Sequence, residues 1–420
     1  MGTGYVGLAT GAYLAHLGHR VTCADVIPAK IEALSGGRIP IVEDGLEALV
    51  REGLTNGRLS FVLGAAGAAA QGEFVFLCVP TPQRPDGSAD MSYIVAAAEE
   101  IGPALQAEAV VINKATVPVG STRVVEQALG RADVFVVSNP EFMREGSAVH
   151  DCLHPDRIVI GSDDQAAAMR VASLFGKVQA PMVITDPASA ETIKYASNAF
   201  LATKVSFVNA VANLCEAVGA DIREVALGMG YDKRIGFEFL KPGPGWGGSC
   251  FPKDTRALVH IGEQAGYDFG LLRGVIAVNE EQHDRVVAKV ATAAGGSLDG
   301  VRVAAWGLTF KARTDDRRGS PAIEVIRRLL ASGAHVRAHD PTVTATLEGL
   351  AQVEICADPY AACQGAAALV VLTEWDDYRW IDFSKVADLM ERRSIVDARN
   401  LLDASALRRG GFAYWGMGRP

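Results

Sequence analysis

The 420-residue sequence lacks three things, and each absence closes off a class of function. It has no basic excess: 40 Lys and Arg against 49 Asp and Glu leave a net charge of −9. A chain of that sign carries no electrostatic footprint for nucleic acid or an anionic membrane, although it can still gather Lys and Arg locally around a small anion. It has no cysteine framework. The seven cysteines (Cys23, Cys78, Cys152, Cys215, Cys250, Cys356, Cys363) are odd in number, scattered and without metal-like C-x-x-C pairs, which suits a reducing compartment. It has no apolar run of membrane-spanning length and no basic-then-apolar leader. The expectation is a soluble, cytoplasmic protein with no nucleic-acid partner, no membrane partner and no metal.

What is present is ordinary in bulk, 49% apolar and 21% charged, and long enough for two or three domains. The densest chemistry lies in Gly243-Pro244-Gly245-Trp246-Gly247-Gly248-Ser249-Cys250-Phe251-Pro252-Lys253-Asp254. Its first six residues contain four glycines, which suits a tight loop facing a bulky ligand. Ala257, Leu258 and Ile261 continue at helical spacing, placing Cys250 beside a helix N-terminus, where partial positive charge favours the thiolate. Lys253 and Asp254 follow one turn on, along the sulfur's face. Lys253 adds positive charge, and Asp254 can hold a water or a substrate hydroxyl. An inert cysteine in a surface turn is the plainer alternative; the Gly-Gly-Ser-Cys setting favours a covalent site.

Gly2-Thr3-Gly4-Tyr5-Val6-Gly7 has GxGxxG spacing and runs into a helical pattern, and Val21-Thr22-Cys23-Ala24-Asp25 reads as a strand ending in an acid. In a dinucleotide site the glycines bring backbone N–H groups to the pyrophosphate. The acid accepts the ribose hydroxyls, which favours NAD over its 2′-phosphorylated relative. Such a fingerprint follows a buried central strand, yet only Met1 precedes Gly2. The first strand of this sheet is therefore expected to be missing, at a cost beyond the ~5–15 kcal/mol margin of a typical domain. A chain extended upstream is expected to fold and bind NAD better. Residues 74–79, 110–112 and 134–137 read as buried parallel strands with ligand-facing tips. Those tips send Thr116, Glu141 and Glu145 toward one crevice, with loop capping as the alternative for Thr81 and Thr116.

From residue 188 to about 260 the pattern becomes helical, and the run through Phe207, Val211 and Leu214 has no breaker. One long helix bridging two domains follows, with the length for a dimer core. Lys194 and Asn198 stack on it one turn apart, as an oxyanion site or as a solvated face. Gly295-Gly296-Ser297-Leu298-Asp299-Gly300 marks a boundary. Strands over 301–307, 336–341, 368–375 and 394–399 alternate with helices beyond it, one of them started by Pro321. This half lacks GxGxxG, so its cleft should hold another ligand, and Lys311, Arg318 and Arg399 suit an anionic one. The expected fold is α/β: two doubly wound Rossmann-like domains, 1–187 and 295–420, joined by a helical dimerisation domain, 188–294, that carries the cysteine loop.

Together these stretches resemble the UDP-glucose 6-dehydrogenase family of nucleotide-sugar dehydrogenases. The resemblance runs from Gly2 to the C-terminus, through GTGYVG, ATVPVGST, NPEFMREGSA, the Lys194/Asn198 pair, RIGFEFL, PGPGWGGSCFPKDT, FKARTDDRRGSP and VVLTEW. It implies a four-electron oxidation of a sugar C6 alcohol to a carboxylate, with two NAD+ used in turn. In that chemistry Asp254, assisted by Lys194 or an ordered water, takes the hydroxyl proton. Cys250 adds to the aldehyde, Lys194 and Asn198 stabilise the oxyanion, and water near Glu141, Glu145 and Thr116 hydrolyses the thioester. The resemblance puts NAD contacts on Gly4, Tyr5, Val6, Asp25, Lys30, Thr81, Thr116, Glu145, Lys253 and Arg318. It puts substrate contacts on Phe142, Met143, Glu145, Lys194, Asn198, Phe239, Gly243, Lys311 and Arg399. Arg234 is expected to enter a neighbouring subunit's site, making the active form at least a homodimer. Ala115 and Met143 depart from the family's usual Ser and Leu, and Met143 loosens the sugar pocket. The same chemistry on GDP-mannose or UDP-N-acetylmannosamine is one alternative. A nucleotide-sugar binder impaired by the absent strand is another.

Overall fold

The computed structural model describes residues 1–419. The chain divides into two compact units: Met1–Ser197 with Arg256–Gly266, and Asn198–Thr255 with Tyr267 onward.

The first unit is built on short apolar strands. β1 (Val21–Asp25) and β2 (Leu59–Leu63) form a parallel pair. β3 (Phe74–Leu77), β4 (Val110–Asn113), β5 (Phe135–Ser138), β6 (Ile158–Gly161) and β7 (Met182–Thr185) lie side by side in that order, parallel except where β5 meets β6. β4 is covered on both faces. Val110 and Ile112 pack with Tyr13, Leu14 and Val171, while Val111 packs with Ile94, Val125 and Leu129, which is why its sequence is apolar without alternation. Between β1 and β3 lie Met1 and Gly2. The Met1 nitrogen donates to the Phe76 carbonyl (2.7 Å), its carbonyl accepts from Cys78 N (2.9 Å), and Gly2 N donates to the Ala24 carbonyl (2.8 Å). With those two residues counted as a strand position, the order β2-β1-(1–2)-β3-β4-β5 is doubly wound, and it reverses at the fingerprint.

In the second unit β8 (Arg302–Trp306), β9 (His335–His339), β10 (Glu354–Ile355), β11 (Ala368–Val371), β12 (Ser394–Asp397) and β13 (Ala413–Gly416) form one parallel sheet. Its order is β10-β9-β8-β11-β12-β13, so the winding reverses between β8 and β11. The carboxyl ends of those strands, which lead to Lys311 and Glu374, flank the crevice where sheets of this kind bind ligands. Pro321 opens the helix Pro321–Ala331 as expected, with Ser320 capping it through Ala322 N.

The long helix is Pro187–Val218, 32 residues without a break. It contains the breaker-free run through Leu214, and the helical stretch beyond it to about residue 260 comes in separate pieces. Helix Ile222–Gly230 is followed by non-helical chain to Cys250, and left-handed Gly236, Gly245 and Gly248 hold that stretch out of helix. Helix Phe251–Gln264 comes next, then Gly270–Ala294, which ends at Gly295 with φ 107°. Among the described residues no helix is long and apolar enough to cross a membrane.

Candidate active site

In the first unit the three fingerprint glycines do different jobs. Gly2 has φ 82°, and a Cβ there would lie 2.8 Å from the Cys78 carbonyl oxygen; one at Gly7 would lie 1.9 Å from the Gly2 oxygen. Both must be glycine for the turn to close. Around Gly4 nothing lies within 4 Å of that position, and helix Tyr5–His16 starts there with no side-chain cap. Unused N–H groups and bare backbone at a helix N-terminus fit a dinucleotide pyrophosphate. Half-buried Val6 lies in the first turn of the same helix.

Asp25 ends β1 as expected. Its Oδ2 accepts from Thr3 N (2.9 Å), Thr3 Oγ1 (2.6 Å) and Lys30 Nζ (3.0 Å), and its Oδ1 from Val26 N (2.8 Å) and Ile27 N (3.2 Å). Burial opposes the charge, but the Thr3 donors and Lys30 outweigh it and hold the pKa down to about 2. With its lone pairs in use, Asp25 accepts a ribose hydroxyl only by exchanging a donor, and Lys30 is the cation among them.

Glu43 escaped the sequence reading. Its carboxylate accepts from the Tyr5 hydroxyl, from Gly146 N (2.6 Å) and from Ala148 N (2.7 Å), so it ties the fingerprint to the loop that carries Glu141, Phe142, Met143 and half-buried Glu145. In sequence Glu43 sits in a polar turn, and nothing there announces a partner 103 residues away.

That loop meets the long helix at Lys194. Lys194 Nζ donates to Glu141 Oε1 at 2.8 Å, and Glu141 Oε2 accepts from Met143 N at 2.7 Å. Both side chains are almost fully buried, 4% and 5% exposed. Burial works against the Glu141 charge, yet the ammonium beside it and the Met143 N–H hold its pKa below the usual carboxylate range. The Phe142 ring lies 5.3 Å from Lys194 Nζ and 3.5 Å from Arg157 Cζ. Thr81 Oγ1 donates to the Thr116 carbonyl (2.8 Å), which ties the two strand-tip loops together. Glu191, one turn before Lys194, accepts from Gly120 N (2.6 Å), Thr122 N (2.9 Å) and Thr122 Oγ1 (2.8 Å), which pins the Thr116 loop to the helix.

In the second unit Asp254 is fully buried and accepts from Asn198 Nδ2 (2.6 Å) and Lys253 Nζ (2.7 Å). Its backbone N donates to the Cys250 carbonyl (2.8 Å), so half-buried Cys250 directly precedes helix Phe251–Gln264. A Cβ at Gly247 would lie 2.0 Å from the Gly319 oxygen, and one at Gly248 would lie 3.0 Å from the Phe310 ring. The loop is thus pressed against the turn after β8, next to Lys311, whose Nζ is 5.4 Å from the Phe310 ring. Arg399 completes the group. A Cβ at Gly243 would be 3.3 Å from its Nη1, and Arg399 donates to the Leu372 carbonyl (2.8 Å) and the Phe310 carbonyl (2.9 Å). Phe239 is held at φ 63°, a costly conformation for a non-glycine, with its ring 6.2 Å from that of Phe251. Arg318, paired with Asp316 at 2.8 Å, and Arg234, paired with Asp232 at 2.5 Å, stand largely in solvent.

Residues 1–179, 188–281 and 304–404 match, in turn, the NAD binding, central and UDP binding domain models of the UDP-glucose/GDP-mannose dehydrogenase family. The chain belongs to that family. The expected NAD cofactor therefore falls on the GxGxxG half, as its residues indicate. Within the family the chain is 44% identical over 427 residues to the UDP-glucose 6-dehydrogenase TuaD of Bacillus subtilis, a match spanning 100% of this chain and 92% of that one. It is 45% identical over 431 residues to a UDP-glucose 6-dehydrogenase of Rhizobium meliloti, spanning 100% and 99%. A solved UDP-glucose dehydrogenase from the archaeon Pyrobaculum islandicum has a TM-score of 0.91 at 38% identity, over 100% of this chain and 96% of the other.

Proposed function

We propose that this chain oxidises UDP-glucose to UDP-glucuronate as an NAD-dependent UDP-glucose 6-dehydrogenase, holding the sugar on Cys250 between the two oxidations. The observation that carries the reading is the buried Asp254–Asn198 hydrogen bond one helical turn from the sulfur. NAD, held by the Gly4 backbone and Asp25, supplies the hydride acceptor when bound.

Asp254 spends two lone pairs on Asn198 and Lys253, and the rest can accept the C6 hydroxyl proton, directly or through a water, as the C6–H bond breaks and the first hydride leaves to give the aldehyde. The Cys250 sulfur then bonds to the aldehyde carbon, and the former carbonyl oxygen becomes an oxyanion. Lys194, ion-paired with Glu141, and Asn198, on the next turn of the same helix, stabilise it. Loss of the second hydride leaves a thioester. Water breaks its C–S bond to release the carboxylate and return the thiol, with Thr116, Glu141 and Glu145 around the water. Phe142, Met143, Phe239, Gly243, Lys311 and Arg399 hold the substrate, and Tyr5, Val6, Lys30, Thr81, Lys253 and Arg318 hold NAD.

The working unit of this reading is a cytoplasmic homodimer of three-domain chains divided near residues 187 and 295. Phe200, Phe207, Leu214 and Val218 leave an exposed apolar row along the long helix, which a second copy would cover, and exposed Arg234 is available to the partner's site. The test is NADH yield per sugar with UDP-glucose, UDP-N-acetylmannosamine and GDP-mannose. Two NADH per UDP-glucose with far slower turnover of the others is expected. Faster turnover of another sugar would reassign the substrate, and binding without NADH would make the protein a binder.

A further inference from the structure

The cysteine loop rests on buried amides that the chemistry above does not use. Asn279, on helix Gly270–Ala294, takes both backbone groups of Trp246. Trp246 N donates to Asn279 Oδ1 (2.8 Å), and Asn279 Nδ2 donates to the Trp246 carbonyl (3.1 Å). One turn on, Gln282 Nε2 donates to the Gly243 carbonyl (2.8 Å). From the long helix, Asn209 Oδ1 accepts from Gly243 N (2.8 Å), and Ser206 Oγ accepts from the Trp246 indole (2.8 Å) while donating to the Val275 carbonyl (2.8 Å).

These four polar side chains are 0–5% exposed. Burying amides costs free energy unless they are bonded, and apolar residues would pack the same helix seam without that condition. Apart from Gln282 Oε1, which accepts from Asn213 Nδ2 (3.0 Å), these amide bonds run to loop backbone, so what they specify is the path of the loop. Gly245 shows how closely the backbone sits on them: a Cβ there would lie 2.8 Å from Asn279 Oδ1 and 2.9 Å from His283 Nε2. Asn209 also lies only about 20° around the helix from Asn198, three turns earlier. A single rigid helix face thus fixes Gly243 at the start of the loop and Asp254, through Asn198, just after it. Cys250 lies between these two anchors.

We propose that Asn279 and Gln282 are positioning residues that set where the Cys250 sulfur stands relative to Asp254. This rests on the reading of Cys250 as the covalent nucleophile. A sulfur misplaced by roughly an ångström should slow addition to the aldehyde about 10²-fold. Substrate binding and the first oxidation, which do not need the sulfur, should change little.

The test places Asn279→Leu and Gln282→Leu in both the wild-type and the Cys250→Ser backgrounds. The first and second NADH of a single turnover are resolved, together with KM for UDP-glucose and the rate of Cys250 alkylation by iodoacetamide. In the wild-type background the second NADH should be delayed about 10²-fold at nearly unchanged KM, and alkylation should change. In the Cys250→Ser background the same substitutions should add nothing to the residual first step. Equal slowing of both oxidations, or additive losses in the two backgrounds, would overturn the proposal. Asn279→Asp, which keeps the acceptor for Trp246 N, carries the test if the leucine variant does not fold. Full two-step turnover by Cys250→Ser alone would defeat the covalent reading itself. A wild-type sulfur adduct with silent Asn279 and Gln282 variants would defeat only the positioning role.

Discussion

Glu141→Gln keeps the shape of a buried side chain and removes the charge that balances Lys194. The two groups meet at 2.8 Å with 5% and 4% exposure, so the variant leaves a buried ammonium without its carboxylate. Breaking a buried pair from one side costs about 3–5 kcal/mol. For a folding unit of this size each kcal/mol lowers the melting temperature by about 2–4 °C, which gives a fall on the order of 6–20 °C. The sign with pH follows from the direction of the shift. Glu141 has a folded pKa below its unfolded value, so its contribution is complete above the unfolded value and lost as pH falls through the folded one. The gap between wild type and variant should be widest at neutral pH and close in acid. Calorimetric melts at stepped pH measure it. A double variant, Glu141→Leu with Lys194→Met, removes both charges and should recover most of the melting temperature while remaining inactive. A Glu141→Gln melt that overlays wild type at neutral pH would show that the pair carries no such weight.

Three further outcomes follow from the site. Lys194→Ala should lower kcat about 10²–10³-fold through lost oxyanion stabilisation, with an unchanged kcat reducing it to a structural lysine. Gly4→Val should raise KM for NAD without moving the melting temperature, because the added atoms enter open space, whereas Gly7→Val should destabilise the protein through its clash with the Gly2 carbonyl. Phe207→Asp, on the exposed apolar row, should shift the protein to a monomer by light scattering and abolish turnover; an active monomer would remove the need for a partner's Arg234.

Much of the fold could be read from the chain because buried parallel strands leave a plain trace. Residues 110–112 and 134–137 are unbroken apolar runs, and both became inner strands. β7 leaves no such trace: it lies at the edge of its sheet with Val183 and Ile184 exposed, so neither face is patterned. The long helix ends just past the breaker-free run through Leu214, where Gly219 at φ 76° and the capping Asp221 mark the break. In the site, what was legible is what helix periodicity places together: Cys250 with Asp254, and Lys194 with Asn198. Pairings across the fold were not. Lys194 meets Glu141 from 53 residues away, Asn198 meets Asp254 from 56, and Asn279 meets Trp246 from 33. Chain spacing carries no information at those separations, and buried amides such as Asn279 and Gln282 look in sequence like the solvated side of a helix.

The most direct measurement takes the mass of the peptide containing Cys250 after acid quench during turnover with UDP-glucose and NAD. A UDP-glucuronyl mass is expected on that sulfur, released by hydroxylamine and absent from Cys250→Ser. Steady acid production with no added mass at Cys250, or with the adduct on another side chain, would contradict it.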